Sequence, residues 1–263
     1  MCGIAGFSSR PDDSHDALAL TRVLLASVAD RGEDAAGGAW FRDGQIVIHK
    51  QYGGASALLR ELAVPANQHS ALVHVREFTK GRPSLMANNH PIRHGRIVGV
   101  HNGRVENDDQ IFTDLGRQRA ELGMSVDSEA IFAALDATST NLQPSAMERL
   151  RGSLACGWID AERPDSIFLA RGHGRPLWLG HATDRDLVVW ASTIEAVEIV
   201  EEHLGIPLMK RPVRAGSIVE ISAGRVINTE RFRPDTSAAW LMNPIASPNE
   251  RVRCLRDLAP RIA

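Results

Sequence analysis

Five short stretches of this 263-residue chain hold most of the residues able to do chemistry. They are Cys2-Gly3-Ile4, RGEDAAG at 31–37, HVREFTKG at 74–81, NNHP at 88–91 with HNGRVEN at 101–107, and SVDSEAI at 125–131. Taken singly, each has a plain structural use. A free cysteine is among the most buried residue types, and Gly32 suits a helix exit. Arg76 suits a surface ion pair, Asn102-Gly103 is a turn dipeptide, and Asp127 suits the first turn of a helix. Taken together they make a site for cleaving a carboxamide. A cysteine bared by methionine removal carries a free α-amine beside its thiol. The amine has a reference pKa of about 7.7–8.0 and the thiol about 8.5, so near neutral pH the nucleophile brings its own base. Attack on a carboxamide makes an oxyanion that needs placed donors, which the Asn102 amide and the Gly103 N–H would supply. Arg76 can grip an α-carboxylate with two parallel hydrogen bonds, and Asp127 can accept from an α-ammonium.

These residues need strands and turns to hold them. Residues 3–8 alternate into a short strand, and 16–29 space Leu18, Leu20, Val23, Leu24, Leu25 and Val28 as one helix. GGAWF and QIVIHK around Arg-Asp-Gly form a hairpin. Runs 71–76 and 96–101 are strands that end in polar residues. A helix is expected from near Ser125, and another over 144–151. Strands follow at 153–160, 166–171, 175–180 and 187–191. Ser192 with Glu195 has the form of a capping box opening a helix at 193–203. GSIVEIS and RVINTERF close the pattern as a hairpin around Ala223-Gly224. Strand groups bracketed by helices predict an α+β architecture of two sheets covered on both outer faces.

The bulk composition excludes several classes. A formal charge of −2 with both signs interspersed gives no electrostatic reason to expect nucleic acid or anionic membrane. The apolar runs 23–29 and 187–191 are far too short to span a bilayer, and no secretory signal leads the chain. Three separated cysteines, Cys2, Cys156 and Cys254, read as reduced thiols of a cytoplasmic protein. Cys156 sits in an apolar run as packing, and Cys254 has no evident use. His90, His94 and His101 match no metal-ligand spacing, so no metal and no cofactor are expected. GHGRP at 172–176 lacks the strand and helix of a phosphate loop and reads as a turn.

The five stretches, in this order and spacing, resemble the class II glutamine amidotransferases, which are N-terminal-nucleophile hydrolases. The likeness runs over about residues 2–230 and includes SIFLARGHGRPLWLG and LVVWASTIEAV. It implies a four-layer αββα sandwich, with Cys2 as nucleophile and Asn102 and Gly103 as oxyanion hole. It also implies Arg76, Thr79, His90, Gly103 and Asp127 around a bound glutamine, and Arg31 supporting the cysteine loop. Two departures stand out: Glu77-Phe78 where the family often has an aromatic residue after the arginine, and Lys80 at a position often histidine or small. They bear on how the loop couples to a partner.

The resulting expectation is an amidotransferase domain over 2–234, matured by methionine removal, with 235–263 as a tail or packing arm. Its function would be a stand-alone glutaminase that delivers ammonia to a separate synthetase subunit. A γ-glutamyl amide hydrolase acting on a larger metabolite is the alternative, since Arg76 and Asp127 bind only the glutamyl part. A non-catalytic module is disfavoured because every member of the reactive set is present.

Overall fold

Period-two alternation along the first strand sends Ile4 to one face and Ala5 and Phe7 to the other. The architecture follows from repeating that sorting in two sheets. The computed structural model describes residues 2–11, 16–237 and 245–259. Its strands begin with β1 (Gly3–Ser9), β2 (Ala35–Arg42), β3 (Gln45–Tyr52), β4 (Ser70–Arg76), β5 (Ile92–His94) and β6 (Ile97–Val105). They continue with β7 (Gly152–Asp160), β8 (Ser166–Arg171), β9 (Trp178–Ala182), β10 (Leu187–Ala191), β11 (Leu208–Pro212), β12 (Ser217–Ser222) and β13 (Arg225–Arg231). The helices are α1 (Ala17–Ser27), α2 (Ala55–Glu61), α3 (Asp108–Leu115), α4 (Glu129–Asp136), α5 (Gln143–Glu148), α6 (Ile194–Leu204) and α7 (Pro248–Leu258).

One sheet has seven strands in the order β11-β9-β10-β1-β4-β2-β3, the other six in the order β13-β12-β8-β7-β6-β5. Their inner faces share a core that includes Ile4, Leu72, Val98, Val100, Leu169, Val188 and Trp190. On the outer face of the first sheet, α1, α2, α6 and α7 bury Leu24, Leu58, Val197 and Cys254 against Phe7, Val73 and Val189. Across the molecule, α3, α4 and α5 bury Ile111, Phe132 and Met147 against Ile97, Trp158 and Phe168. The result is the four-layer αββα sandwich. No described helix is long and apolar enough to cross a membrane.

Several elements depart from the sequence reading for local reasons. The helix expected from Ser125 starts at Glu129. The Ser125 and Val126 N–H groups donate instead to Asn88 Oδ1, at 2.8 and 3.1 Å, which holds those residues in a loop. Ser192 does not cap α6. Thr193 does, accepting from the Ala196 N–H at 3.2 Å. The strand placed at 175–180 runs from 178 to 182, because Pro176 has no N–H to give a ladder. Helices α2 and α3 were not anticipated. Yet α3 carries Asp108 and Asp109 in its first turn and a left-handed Gly116 at its end, ordinary start and stop signals.

Both anticipated hairpins form. The turn between β2 and β3 places Asp43 and Gly44 at φ 50° and 81°, and that between β12 and β13 places Ala223 and Gly224 at 47° and 72°. Positive φ at both central residues matches the twist of the flanking strands. Gly224 has no alternative, since a Cβ there would lie 1.9 Å from the Asp186 carbonyl oxygen. Ala223 is exposed and carries the left-handed strain with no side-chain compensation. Ala223→Asn, which tolerates that region, is expected to stabilise the fold by about 0.5–1 kcal/mol. Thermal unfolding would read this as a Tm rise of about 1–3 °C.

Candidate active site

Side-chain alternation also builds the site. Cys2 precedes β1 on the same parity as the inward-facing Ile4. On β4, His74 and Arg76 share the inner face with Leu72, and on β6, Asn102 shares it with Val98 and Val100. Strand β6 lies against β1 and β4, so the polar ends of three strands meet at one end of the sandwich. Ser192 fixes the start of β1. Its Oγ accepts from the Ile4 N–H at 2.8 Å and donates to the Ile4 carbonyl at 3.2 Å, two residues from Cys2.

Cys2 is half-buried as a residue, and its thiol points inward to donate to the Glu77 carbonyl at 3.5 Å. Burial of its sulfur raises its pKa. The Glu77 hydrogen bond and the Arg76 charge work against that rise, and the Asp127 charge adds to it. Cys2 therefore resists ionisation in these surroundings.

Arg76 is 2 % exposed, yet charged. Its Nη1 donates to Asn89 Oδ1 at 2.5 Å, and Nη2 donates to the carbonyls of Lys80 and Gly81 at 2.8 and 2.5 Å. Three of its five N–H groups thus shape the loop that follows β4, and the other two have no acceptor among the described residues. Gly32 makes this packing possible, since a Cβ there would sit 2.3 Å from the Arg76 carbonyl carbon. Asp34 joins in, its N–H donating to the Arg76 carbonyl at 2.9 Å and its Oδ2 accepting from the Phe78 N–H at 2.8 Å. Arg31 sits half-buried in the preceding 3₁₀ turn, where burial lowers its pKa and the charges of Asp30 and Cys2 raise it.

Asn102 is fully buried, and neither its amide nitrogen nor its oxygen has a hydrogen-bond partner. A buried carboxamide left unpaired is costly, and its presence calls for an explanation. Gly103 follows at φ 152°, where a Cβ would lie 2.0 Å from the Ser153 carbonyl oxygen, so glycine is obligatory. Asp127 is buried, and its Oδ2 accepts from the Val105 N–H at 2.7 Å. The charges of Arg76 and Asp127 both act on the Cys2 thiol, which places the three in one electrostatic neighbourhood.

Three histidines lie beneath. His74 and His90 stack with ring centroids 4.1 Å apart. His74 Nε2 lies 3.2 Å from the His101 carbonyl oxygen; an oxygen of that kind only accepts, so Nε2 carries the proton. By the same logic His101 Nε2 donates to the Ser153 carbonyl, which leaves Nδ1 to accept from the Ser128 hydroxyl at 2.9 Å. Burial lowers the pKa of all three, well below the ordinary value for His74 and His90, so they are neutral. Both ring nitrogens of His90 lack partners. His94 goes elsewhere, to Glu129 at 2.9 Å. Among the described residues no group of three His, Cys, Asp or Glu side chains is placed to hold a metal ion.

The structure therefore gathers Cys2, Arg76, Asn102, Gly103, His90 and Asp127 at one end of the sandwich, with Arg31 behind the cysteine. Thr79 is exposed on the loop. The sequence reading passed over Asp34, Asn88 and Asn89 and gave Ser192 to a helix cap. The first three lay within or beside the quoted stretches, as polar residues next to the prominent ones. Nothing local could reveal Ser192.

A family model described as a glutamine amidotransferase domain matches residues 81–198. This chain carries a class II glutamine amidotransferase domain. Among curated relatives of the domain is a glutamine–fructose-6-phosphate aminotransferase (isomerizing) from Chlamydia trachomatis. It is 27% identical over 262 residues, covering 97% of this chain and 39% of the relative. The enzyme of that name from Corynebacterium glutamicum is 33% identical over 194 residues, covering 68% of this chain and 31% of the relative. The chain thus spans between 31% and 39% of the length of these two relatives. The fold is shared with glutamine phosphoribosylpyrophosphate amidotransferase from B. subtilis at a TM-score of 0.69 and 22% identity. That match covers 92% of this chain and 50% of the other.

The three thiols of the chain differ sharply. Cys156 and Cys254 are buried, and burial pushes both pKa values up to about 12. Iodoacetamide at pH 8 is therefore expected to alkylate Cys2 and spare the other two, as peptide mass spectrometry would show. Because the thiolate is the reactive form and burial raises the Cys2 pKa, the alkylation rate should keep climbing beyond the ordinary thiol value of about 8.5.

Proposed function

We propose that this domain hydrolyses the side-chain amide of glutamine to glutamate and ammonia through a γ-glutamyl thioester on Cys2. The observation that carries the reading is the buried, unpartnered Asn102 carboxamide, lying with the Gly103 backbone on the inner face that Cys2 also meets. A reacting amide carbonyl, once attacked, supplies the charge that such a donor lacks. After removal of Met1, the Cys2 α-amine takes the thiol proton as sulfur bonds to the amide carbon. The tetrahedral oxyanion sits between Asn102 Nδ2 and the Gly103 N–H. The amine then returns the proton to the departing nitrogen, and ammonia leaves. Water, deprotonated by the same amine, cleaves the thioester. The raised thiol pKa supports the need for this adjacent base. The uncommitted N–H groups of Arg76 and the second oxygen of Asp127 meet the α-carboxylate and α-ammonium, with Thr79 and His90 completing the pocket.

Ammonia is delivered to a separate synthetase subunit in this reading. Support comes from apolar side chains exposed on or near the loop in sequence, Phe78, Leu85 and Met86 at 47, 38 and 41%, since apolar groups left at the surface suit contact with a partner.

Incubation with 6-diazo-5-oxo-norleucine is expected to leave one covalent adduct on Cys2. Cys2→Ala should abolish glutamine hydrolysis, and a variant that still released ammonia would overturn the proposal. Asn102→Ala should lower kcat by about 10²–10³ with little change in KM. Turnover of bulky γ-glutamyl amides faster than glutamine would instead select the γ-glutamyl hydrolase reading.

A further inference from the structure

The loop 77–82 contains no helix or strand and is held by side chains from several directions. Asp34 binds the Phe78 N–H, Arg76 binds the Lys80 and Gly81 carbonyls, and Asn88 donates to the Arg82 carbonyl at 3.2 Å. Lys80 reaches the other way, to the start of α3. Its ammonium donates to both oxygens of Asp108, at 2.8 and 2.7 Å, and lies 3.7 Å from Asp109.

Asp108 is shared. Arg119 donates to Asp108 Oδ2 at 2.6 Å and to Asp109 Oδ1 at 2.9 Å. The same guanidinium donates to the Val126 carbonyl at 2.6 Å, approaches Glu129 at 3.4 Å and lies over the Phe112 ring at 4.5 Å. Val126 is the residue before Asp127, and its N–H is held by Asn88. A continuous run of charge-assisted contacts thus joins the loop bearing Thr79 to the peptide that orients Asp127. Burial would raise the Asp108 pKa, but the hydrogen bonds from Lys80 and Arg119 more than reverse this and hold the carboxyl below its usual range.

We infer that Lys80, through Asp108 and Arg119, is a positioning residue that fixes the 77–82 loop relative to Asp127 and so sets the affinity for the glutamyl α-carbon groups. The inference rests on the glutaminase reading for its substrate, though the mechanical coupling stands by itself. The two cations on Asp108 have different tasks. Arg119 stays with the carboxylate if Lys80 leaves, so the buried charge is never unpaired. The Lys80 side chain is 38% exposed, so the Lys80 tie can break and reform, and salt can reach it.

The test uses the full chain. Lys80→Met, which keeps the apolar stem, is expected to raise the KM for glutamine about five- to twentyfold with kcat within about threefold, the range for one partly exposed charge-assisted hydrogen bond. Lys80→Arg should restore most of the affinity. Raising NaCl should increase the KM of the unaltered protein and leave that of Lys80→Met flat. Asp109→Asn, whose side chain is 83% exposed, should change little. Hydrogen exchange without substrate supplies a readout independent of turnover: in Lys80→Met, amides at 77–85 and at 119–127 should both exchange faster. Faster exchange confined to 77–85, or an unchanged KM in an active protein, overturns the coupling. If the unaltered protein does not hydrolyse glutamine, the glutaminase reading fails, and the exchange at 119–127 still decides the coupling.

Discussion

A guanidinium buried between two sheets constrains everything around it. Arg76 needs acceptors close to its guanidinium, since an unpaired buried charge costs several kcal/mol. The chain after β4 therefore turns back to offer the Lys80 and Gly81 carbonyls, and the Asn89 side chain accepts from a third N–H. That turn puts the Glu77 carbonyl against the Cys2 thiol, and Gly32 must have no side chain so that the Arg76 backbone can come close. Lys50 continues the same logic, donating to the Asn89 carbonyl at 2.9 Å and so steadying the residue before His90. One buried cation thereby organises residues from five separate stretches of sequence.

The neutral histidines complete the electrostatic picture. Burial strips His74, His90 and His101 of charge, so the charge near Cys2 comes from the arginines and Asp127 and not from the imidazoles. They act as struts. His74 links β4 in one sheet to the His101 carbonyl on β6 in the other, directly before Asn102. His101 ties that strand to Ser128 and Ser153. The spacing between the arginine strand and the asparagine strand is thus set by hydrogen bonds, where apolar packing alone would let the sheets slide.

Much of this was legible in the residues themselves. The alternation of 3–8, 71–76 and 96–101 revealed the three strands that carry the site, and the two glycine-bearing turns revealed their hairpins, because both signals are local. Cys2, Arg76, Asn102-Gly103 and Asp127 stood out as candidates because one chemistry would use them all. What escaped depends on contacts between distant segments. Ser192 looked like a helix cap because a serine three residues before a glutamate suits that role, and only the approach of β1 shows its hydroxyl engaged with Ile4. The loop before α4 read as helix because DSEAIFAALDA has helical periodicity, while the competing acceptor, Asn88 Oδ1, lies 37 residues earlier. Cys254 seemed idle in a polar tail, yet α7 seats it against the outer core of the first sheet.

The bond between Ser192 and Ile4 spans 188 residues, and β1 lies between β10 and β4 in the middle of its sheet. During synthesis the segment bearing Cys2 therefore emerges long before the strand that pins it. A nascent chain lacks the two Ser192 bonds that fix the start of β1 until the ribosome has passed that residue. The surroundings of Cys2 are in this way completed only by a late segment, and a chain that stops short of β10 lacks one of the two strands that flank β1.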